Sequence, residues 1–242
     1  MGLFSGQLAV ITGAGSGIGK AVAMALGTEG ASLCLVGRNR QRLDAVASEM
    51  QKMPVVIRTY GTDLSVDQDV DALVDAVKRE CGKAHLLIHS AGDFSMGLIE
   101  HSPVADLDRQ YRINLRAPYL LTQGLLPLIR ACSGQIVFVN SSAGLAAKAK
   151  VSQYAATKHA LKALADSLRE EVNADGIRVL TVYPGRTATP MQEAVHRMER
   201  KDYKPEQFMQ AEDVAAVVIN ALTLPLSAEV TDINIRPMKK IQ

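Results

Sequence analysis

Tyr154 and Lys158 stand four residues apart in "QYAATKHALKAL" (153–164), with only Ala155, Ala156 and Thr157 between them. Residues at i and i+4 share a helix face, about 5–6 Å apart at Cβ. A phenol and an ammonium can then point into one space, which the small residues leave open. A phenol, with an ordinary pKa of about 10, is a poor acid–base catalyst at neutral pH. A nearby cation favours the phenolate and lowers that pKa. The pair predicts a proton-transfer site in which Lys158 primes Tyr154. By itself the spacing also fits an interfacial tyrosine beside a solvated lysine, so its surroundings decide.

A second cluster, "ITGAGSGIGKAVA", places Gly13, Gly15, Gly17 and Gly19 between an apolar run and a helical pattern, with Ser16 and Ile18 interleaved. Glycine allows a tight turn and close approach of backbone to a pyrophosphate, whose charge meets free N–H groups at the helix start. The end of the second apolar run selects the dinucleotide. Sites for NAD usually place an acid there, on the ribose 2′-OH. Here "VGRNRQRL" has Arg38 after Gly37 and no acid between Glu29 and Asp44. A guanidinium binds a 2′-phosphate through paired, charge-assisted hydrogen bonds, so NADP(H) is expected. Arg40 or Arg42 could assist, although a solvated helix face accounts better for both.

The glycine spacing is T-G-x-x-x-G-x-G, through Thr12, Gly13, Gly17 and Gly19, and not G-x-G-x-x-G. Together with Tyr154 and Lys158 it resembles the short-chain dehydrogenase/reductase family, over residues 6 to 236. The resemblance implies hydride transfer between a nicotinamide and a carbonyl or secondary alcohol. It implies that Ser141, 13 residues before Tyr154, contacts the substrate oxygen, with Ser142 the competing choice, and that Asn114 holds a water linking the lysine to solvent. It assigns the cofactor to Gly13, Gly15, Ser16, Gly17, Ile18, Gly19, Arg38, Asp63, Leu64, Ser90, Ala91, Gly92, Tyr154, Lys158, Pro184, Gly185, Thr187 and Thr189. Three positions depart from the pattern: Ser90 replaces the usual asparagine, Thr187 replaces a branched apolar residue, and "EVTDINIRPMKKIQ" lacks the frequent V-D-G-G ending. An NAD-dependent alcohol dehydrogenase and a non-catalytic dinucleotide sensor on the same fold are the alternatives.

The elements that must position these groups read as strands at 8–12, 32–37, 55–60, 85–90, 135–140, 177–183 and 233–236. Helical patterns occupy 17–28, 40–51, 66–81, about 104–130, 153–173 and 211–222. Near-continuous apolar strands alternating with helices predict an α/β, Rossmann-type doubly wound sheet of about seven parallel strands flanked by helices. No linker or repeat divides residues 1–242, which are expected to form a single domain. The irregular stretch 186–210 follows a strand and is expected to be a short helical flap over the site.

Composition is that of an ordinary soluble chain. A net charge of +2 provides no basic face for nucleic acid, and the lack of Trp argues against base stacking. Cys34, Cys81 and Cys132 are far apart in the chain, odd in number and without zinc spacing, so reduced thiols are expected. The start "MGLFSGQLAV" has no signal-peptide pattern and no run reaches a membrane span. A cytoplasmic protein is expected, with no metal: the five histidines, including His85 and His89, lack convergent acidic partners. A small-molecule carbonyl or alcohol is the expected partner. The family resemblance adds a homodimer or homotetramer pairing through helices 104–130 and 153–173.

Overall fold

The computed structural model describes residues 2–239, so Met1 and residues 240–242 of the atypical ending lie outside the described residues. Strands β1 (Leu8–Thr12), β2 (Ser32–Gly37), β3 (Ile57–Gly61), β4 (Leu86–His89), β5 (Gln135–Val139), β6 (Arg178–Pro184) and β7 (Asp232–Ile235) form one parallel sheet. Its order is β3-β2-β1-β4-β5-β6-β7, the doubly wound Rossmann-type arrangement. The helices are α1 (Gly17–Thr28), α2 (Arg40–Glu49), α3 (Asp67–Cys81), α4 (Val104–Tyr111), α5 (Ala117–Ala131), α6 (Ser152–Val172), α7 (Pro190–Glu199) and α8 (Ala211–Leu222).

Side chains alternate across each strand, which explains why the inner strands are apolar throughout. Ala9 and Ile11 face a core completed by α1, α2 and α8, whereas Leu8 and Val10 face one completed by α3, α5 and α6. Each fully buried aliphatic side chain contributes about 1.5–3 kcal/mol, so both faces hold the sheet. The connections leave β1 and β4 in opposite directions, opening a crevice beyond the strands' carboxyl ends, where such sheets bind ligands.

Three local readings are corrected. Strand β3 begins at Ile57 because the bend around Pro54 takes up Val55 and leaves Val56 exposed, with only its carbonyl meeting β2, where it accepts from the Leu33 N–H at 2.8 Å. The single helix expected over 104–130 is interrupted by a π-helical segment, Arg112–Arg116, between α4 and α5. Pro118 has no N–H to offer the carbonyl of Asn114, and a wider turn accommodates the loss. The cysteines are not all distant in space, since the sulfurs of Cys34 and Cys81 lie 3.6 Å apart.

Residues 186–210 make a closed excursion. Helix α7 is capped by Thr189, whose side chain accepts from the Gln192 N–H, with Pro190 in its first turn. The chain returns through Tyr203 and Phe208, whose rings surround the buried His196. It is closed by the Ala188 N–H donating to the Met209 carbonyl at 2.7 Å.

Candidate active site

A cavity of about 420 Å³ opens at the switch point. One wall is backbone. Gly13 has φ +69°, and a Cβ there would lie 2.8 Å from the Ala91 nitrogen; at Gly19 a Cβ would lie 2.4 Å from the Gly13 carbonyl oxygen. Neither position can carry a side chain without moving the turn. Ser16 precedes α1 in extended conformation and its side chain caps no N–H. The first-turn N–H groups of α1 therefore have no side-chain cap where Ser16, Gly17, Ile18 and Gly19 line the cavity, as an anion site requires. Thr12 fastens this wall, its hydroxyl oxygen accepting from the Ser90 and Ala91 N–H groups at 3.0 and 3.1 Å.

The opposite wall holds the titratable groups. Tyr154 and Lys158 on α6 are buried yet line the cavity, and Ser141, just after β5, lines it too, near enough to the Tyr154 hydroxyl to act on its proton. Ser142 also lines the cavity but does not act on the phenol. Burial pushes Tyr154 up to about 12, with the Ser141 hydrogen bond opposing; burial likewise brings Lys158 down to about 8. Burial thus sets the direction for both groups in this structure, opposite to the lowering of Tyr154 expected from sequence. Geometry agrees. The Lys158 ammonium lies 5.8 Å from the centre of the Tyr154 ring and donates to the Val139 carbonyl at 3.1 Å.

The cavity brings together most residues anticipated from sequence: Gly13, Ser16, Gly17, Ile18, Gly19, Ser90, Ala91, Gly92, Ser141, Tyr154, Lys158, Pro184, Gly185, Thr187 and Thr189. Five lie off its lining. Gly15 faces Arg42 and Leu43 on α2. Leu64 is buried in the core. Arg38 is exposed beyond β2, close enough to Asp63 to help hold that carboxyl below its usual range, behind the larger effect of two hydrogen bonds from Ser65. Asn114 is buried, and its side chain is consumed by protein: it accepts from the Asp93 N–H at 2.8 Å and donates to the Asp93 carbonyl at 2.9 Å and Thr157 hydroxyl at 3.1 Å. Its side chain clamps the β4 loop to α6.

Several lining residues are given no role in the site by the sequence. Asn140 accepts from the Ser141 N–H and donates to the Lys158 carbonyl at 3.0 Å, tying β5 to α6 between the two polar groups. Phe94 meets the Tyr154 ring edge-on, with centroids 4.9 Å apart. Arg186 and Glu199, 13 residues apart, pair at 3.2 Å within the 186–210 excursion.

The geometry matches known proteins. A family model described as short chain dehydrogenase fits residues 7–200. An uncharacterized oxidoreductase of Staphylococcus epidermidis is 34% identical over 233 residues, covering 96% of this chain and 97% of that protein. Among solved structures, L-sorbose reductase from Gluconobacter frateurii, complexed with NADPH and L-sorbose, superposes with a TM-score of 0.89 at 27% identity, covering 100% of both chains. A metagenomic short-chain oxidoreductase in complex with NADP gives 0.85 at 30% identity, covering 98% of this chain and 100% of the other.

Proposed function

Because the chain belongs to the short-chain dehydrogenase family, we propose that it is an NADP(H)-dependent oxidoreductase interconverting a carbonyl and a secondary alcohol. The observation that carries this reading is the convergence of Ser141, Tyr154 and Lys158 on a cavity whose other wall is the glycine turn. The fit to the cofactor is tested by that turn: at Gly13 and Gly19 a Cβ would collide with backbone, so the wall has the close-approach form a pyrophosphate needs. Arg38 follows β2 with no acid beside it in the sequence, which suits a 2′-phosphate. Bound NADPH supplies the hydride.

The protein supplies orientation and the proton. Ser141 donates a hydrogen bond to the substrate carbonyl oxygen, and Tyr154 delivers its proton to the same atom. A buried phenol held near 12 is fully protonated at neutral pH, as the acid in a reduction must be. Lys158 holds the nicotinamide ribose hydroxyls, and its charge counters the phenolate that forms. Asn114 and Asn140 fix the loops that aim these groups. The presence of both Tyr154 and Lys158 weighs against a sensor without turnover.

The test is Tyr154→Phe. Removing a general acid costs about 10²–10⁴-fold, so turnover is expected to be lost while the NADPH dissociation constant stays unchanged. A near-normal rate would overturn the assignment. The whole chain acts as one dinucleotide-binding and catalytic unit, with 186–210 as its substrate flap. Exposed Val104, Leu107, Tyr111 and Tyr119 form a stripe at helical spacing that supports pairing of copies. No helix among the described residues is long and apolar enough to cross a membrane. The free thiols support a reducing, cytoplasmic setting.

A further inference from the structure

The cavity lining carries charge that the proton transfer does not use. Lys148 and Arg186 both line it, and Glu199 is the only carboxylate among the lining residues. Glu199 is shared: Arg186 reaches its two oxygens at 3.2 and 3.4 Å with one terminal nitrogen, and Lys201 lies 3.7 Å away on the other oxygen. The Arg186 Nε and second terminal nitrogen make no hydrogen bond among the described residues, and Lys148 makes no ion pair there. Besides Lys158, two cations thus face the cavity against one carboxylate that already has an outside partner.

Position separates this charge from the pyrophosphate cradle. Gly17 abuts Thr189, the cap of α7, whereas Arg186 reaches Glu199 at the far end of that ten-residue helix. At 1.5 Å per residue the two ends are about 15 Å apart. Arg186 lines the cavity together with Met191 and Val195 of α7.

Resting on the reduction at Tyr154, we propose that the substrate is an oxo acid: a carbonyl compound whose carboxylate is held by the Arg186 guanidinium, turned to it from Glu199, with Lys148 adding to the field. A planar fork matches a carboxylate through two parallel charge-assisted hydrogen bonds. Lys201 leaves Glu199 compensated when Arg186 turns to the ligand.

The experiment follows NADPH oxidation with matched pairs of aliphatic oxo acids and their methyl esters, plus neutral ketones. It compares wild type, Arg186→Met, Arg186→Lys and Glu199→Gln, with NADPH dissociation constants measured by fluorescence. Wild type is expected to prefer the acids. Arg186→Met is expected to lower kcat/KM for acids about 10–100-fold, mainly through KM, and for esters by less than about threefold. Arg186→Lys should restore part of the loss. Glu199→Gln breaks the same ion pair but keeps the cation, so it should retain acid reduction; equal loss in this variant means Arg186 merely braces the flap and overturns the proposal. Preference for esters, or weaker NADPH binding in Arg186→Met with equal loss on both substrate types, overturns it too. Turnover of neutral ketones alone sinks the oxo acid and leaves the reduction standing. No turnover of any compound with NADPH bound sinks both.

Discussion

At the β1–α1 turn the cavity wall is backbone, closed by Gly13 and Gly19 with no room for a Cβ. At α7 the wall is side chain: Met191, Val195, Arg186 and Glu199 reach in from a segment closed on its own small core. The first wall presents N–H groups to anything carrying a pyrophosphate, and every dinucleotide carries one. The second presents shapes and charges that suit particular molecules. A glycine wall therefore serves the constant half of the reaction, and a side-chain wall serves the variable half. Substitutions should separate the two.

Cofactor binding should fail most sharply at the backbone wall. In Gly19→Ala the new Cβ meets the Gly13 carbonyl oxygen at 2.4 Å, so the turn itself must shift. Overpacking of this kind costs about 1–3 kcal/mol, and NADPH affinity should fall about 100-fold by fluorescence titration, with the melting temperature measured in parallel. Gly15→Ala brings its Cβ to 3.3 Å from the Arg42 Cβ and 3.6 Å from the Leu43 side chain, so α2 need give by only a few tenths of an ångström, and this variant should bind within about fivefold of wild type. Equal effects at both positions would mean the wall is not what binds the dinucleotide.

Arg38→Asp probes the choice within that half. The exchange removes charge-assisted bonds to a 2′-phosphate and adds a repelling carboxylate. The ratio of NADPH to NADH affinity should fall about 10–100-fold. Tighter binding of NADH to the wild type would contradict the role given to Arg38.

The comparison also explains what could be read from the sequence. Strands β1 and β2 begin and end where their apolar runs do, because neither face of an inner strand tolerates polarity. Gly13, Gly19, Ser141, Tyr154 and Lys158 are found by spacing, since each sits in a local motif on one turn or helix. Arg186, Glu199, Phe94 and Asn140 escape notice because their partners are fixed only by folding: Arg186 meets Glu199 across α7, and Phe94 meets Tyr154 across 60 positions. The break at Arg112–Arg116 could have been anticipated from the missing N–H of Pro118. The direction of the Tyr154 and Lys158 shifts could not, because it depends on burial, which spacing does not reveal.

That burial gives a smaller test. Lys158 titrates near 8 in the free protein because desolvation disfavours its charge. Above that pH the free site has lost a proton, whereas holding ribose hydroxyls beside phosphates favours the ammonium. Binding must then take up protons, and affinity should weaken above pH 8 by at most about tenfold per unit. Calorimetry at pH 8.5 in two buffers of different ionisation enthalpy reads the uptake directly. Proton release on binding would show that the ammonium is not what the dinucleotide meets.

The smallest effect should arise where the two halves touch. Phe94 lines the cavity and meets the Tyr154 ring edge-on at 4.9 Å, an arrangement worth about 0.5–1.5 kcal/mol beyond area burial. Phe94→Leu keeps apolar volume and removes the edge contact. If Phe94 belongs to the variable half, NADPH affinity should not move, while KM for carbonyl substrates shifts about threefold and differently for large and small ones. The melting temperature should fall by about 1–6 °C, as expected for that energy in a chain of this size. If kcat drops uniformly instead and KM is constant, the ring is aiming Tyr154 and belongs with the constant machinery. The border between the two halves would then lie one residue shell further from the phenol.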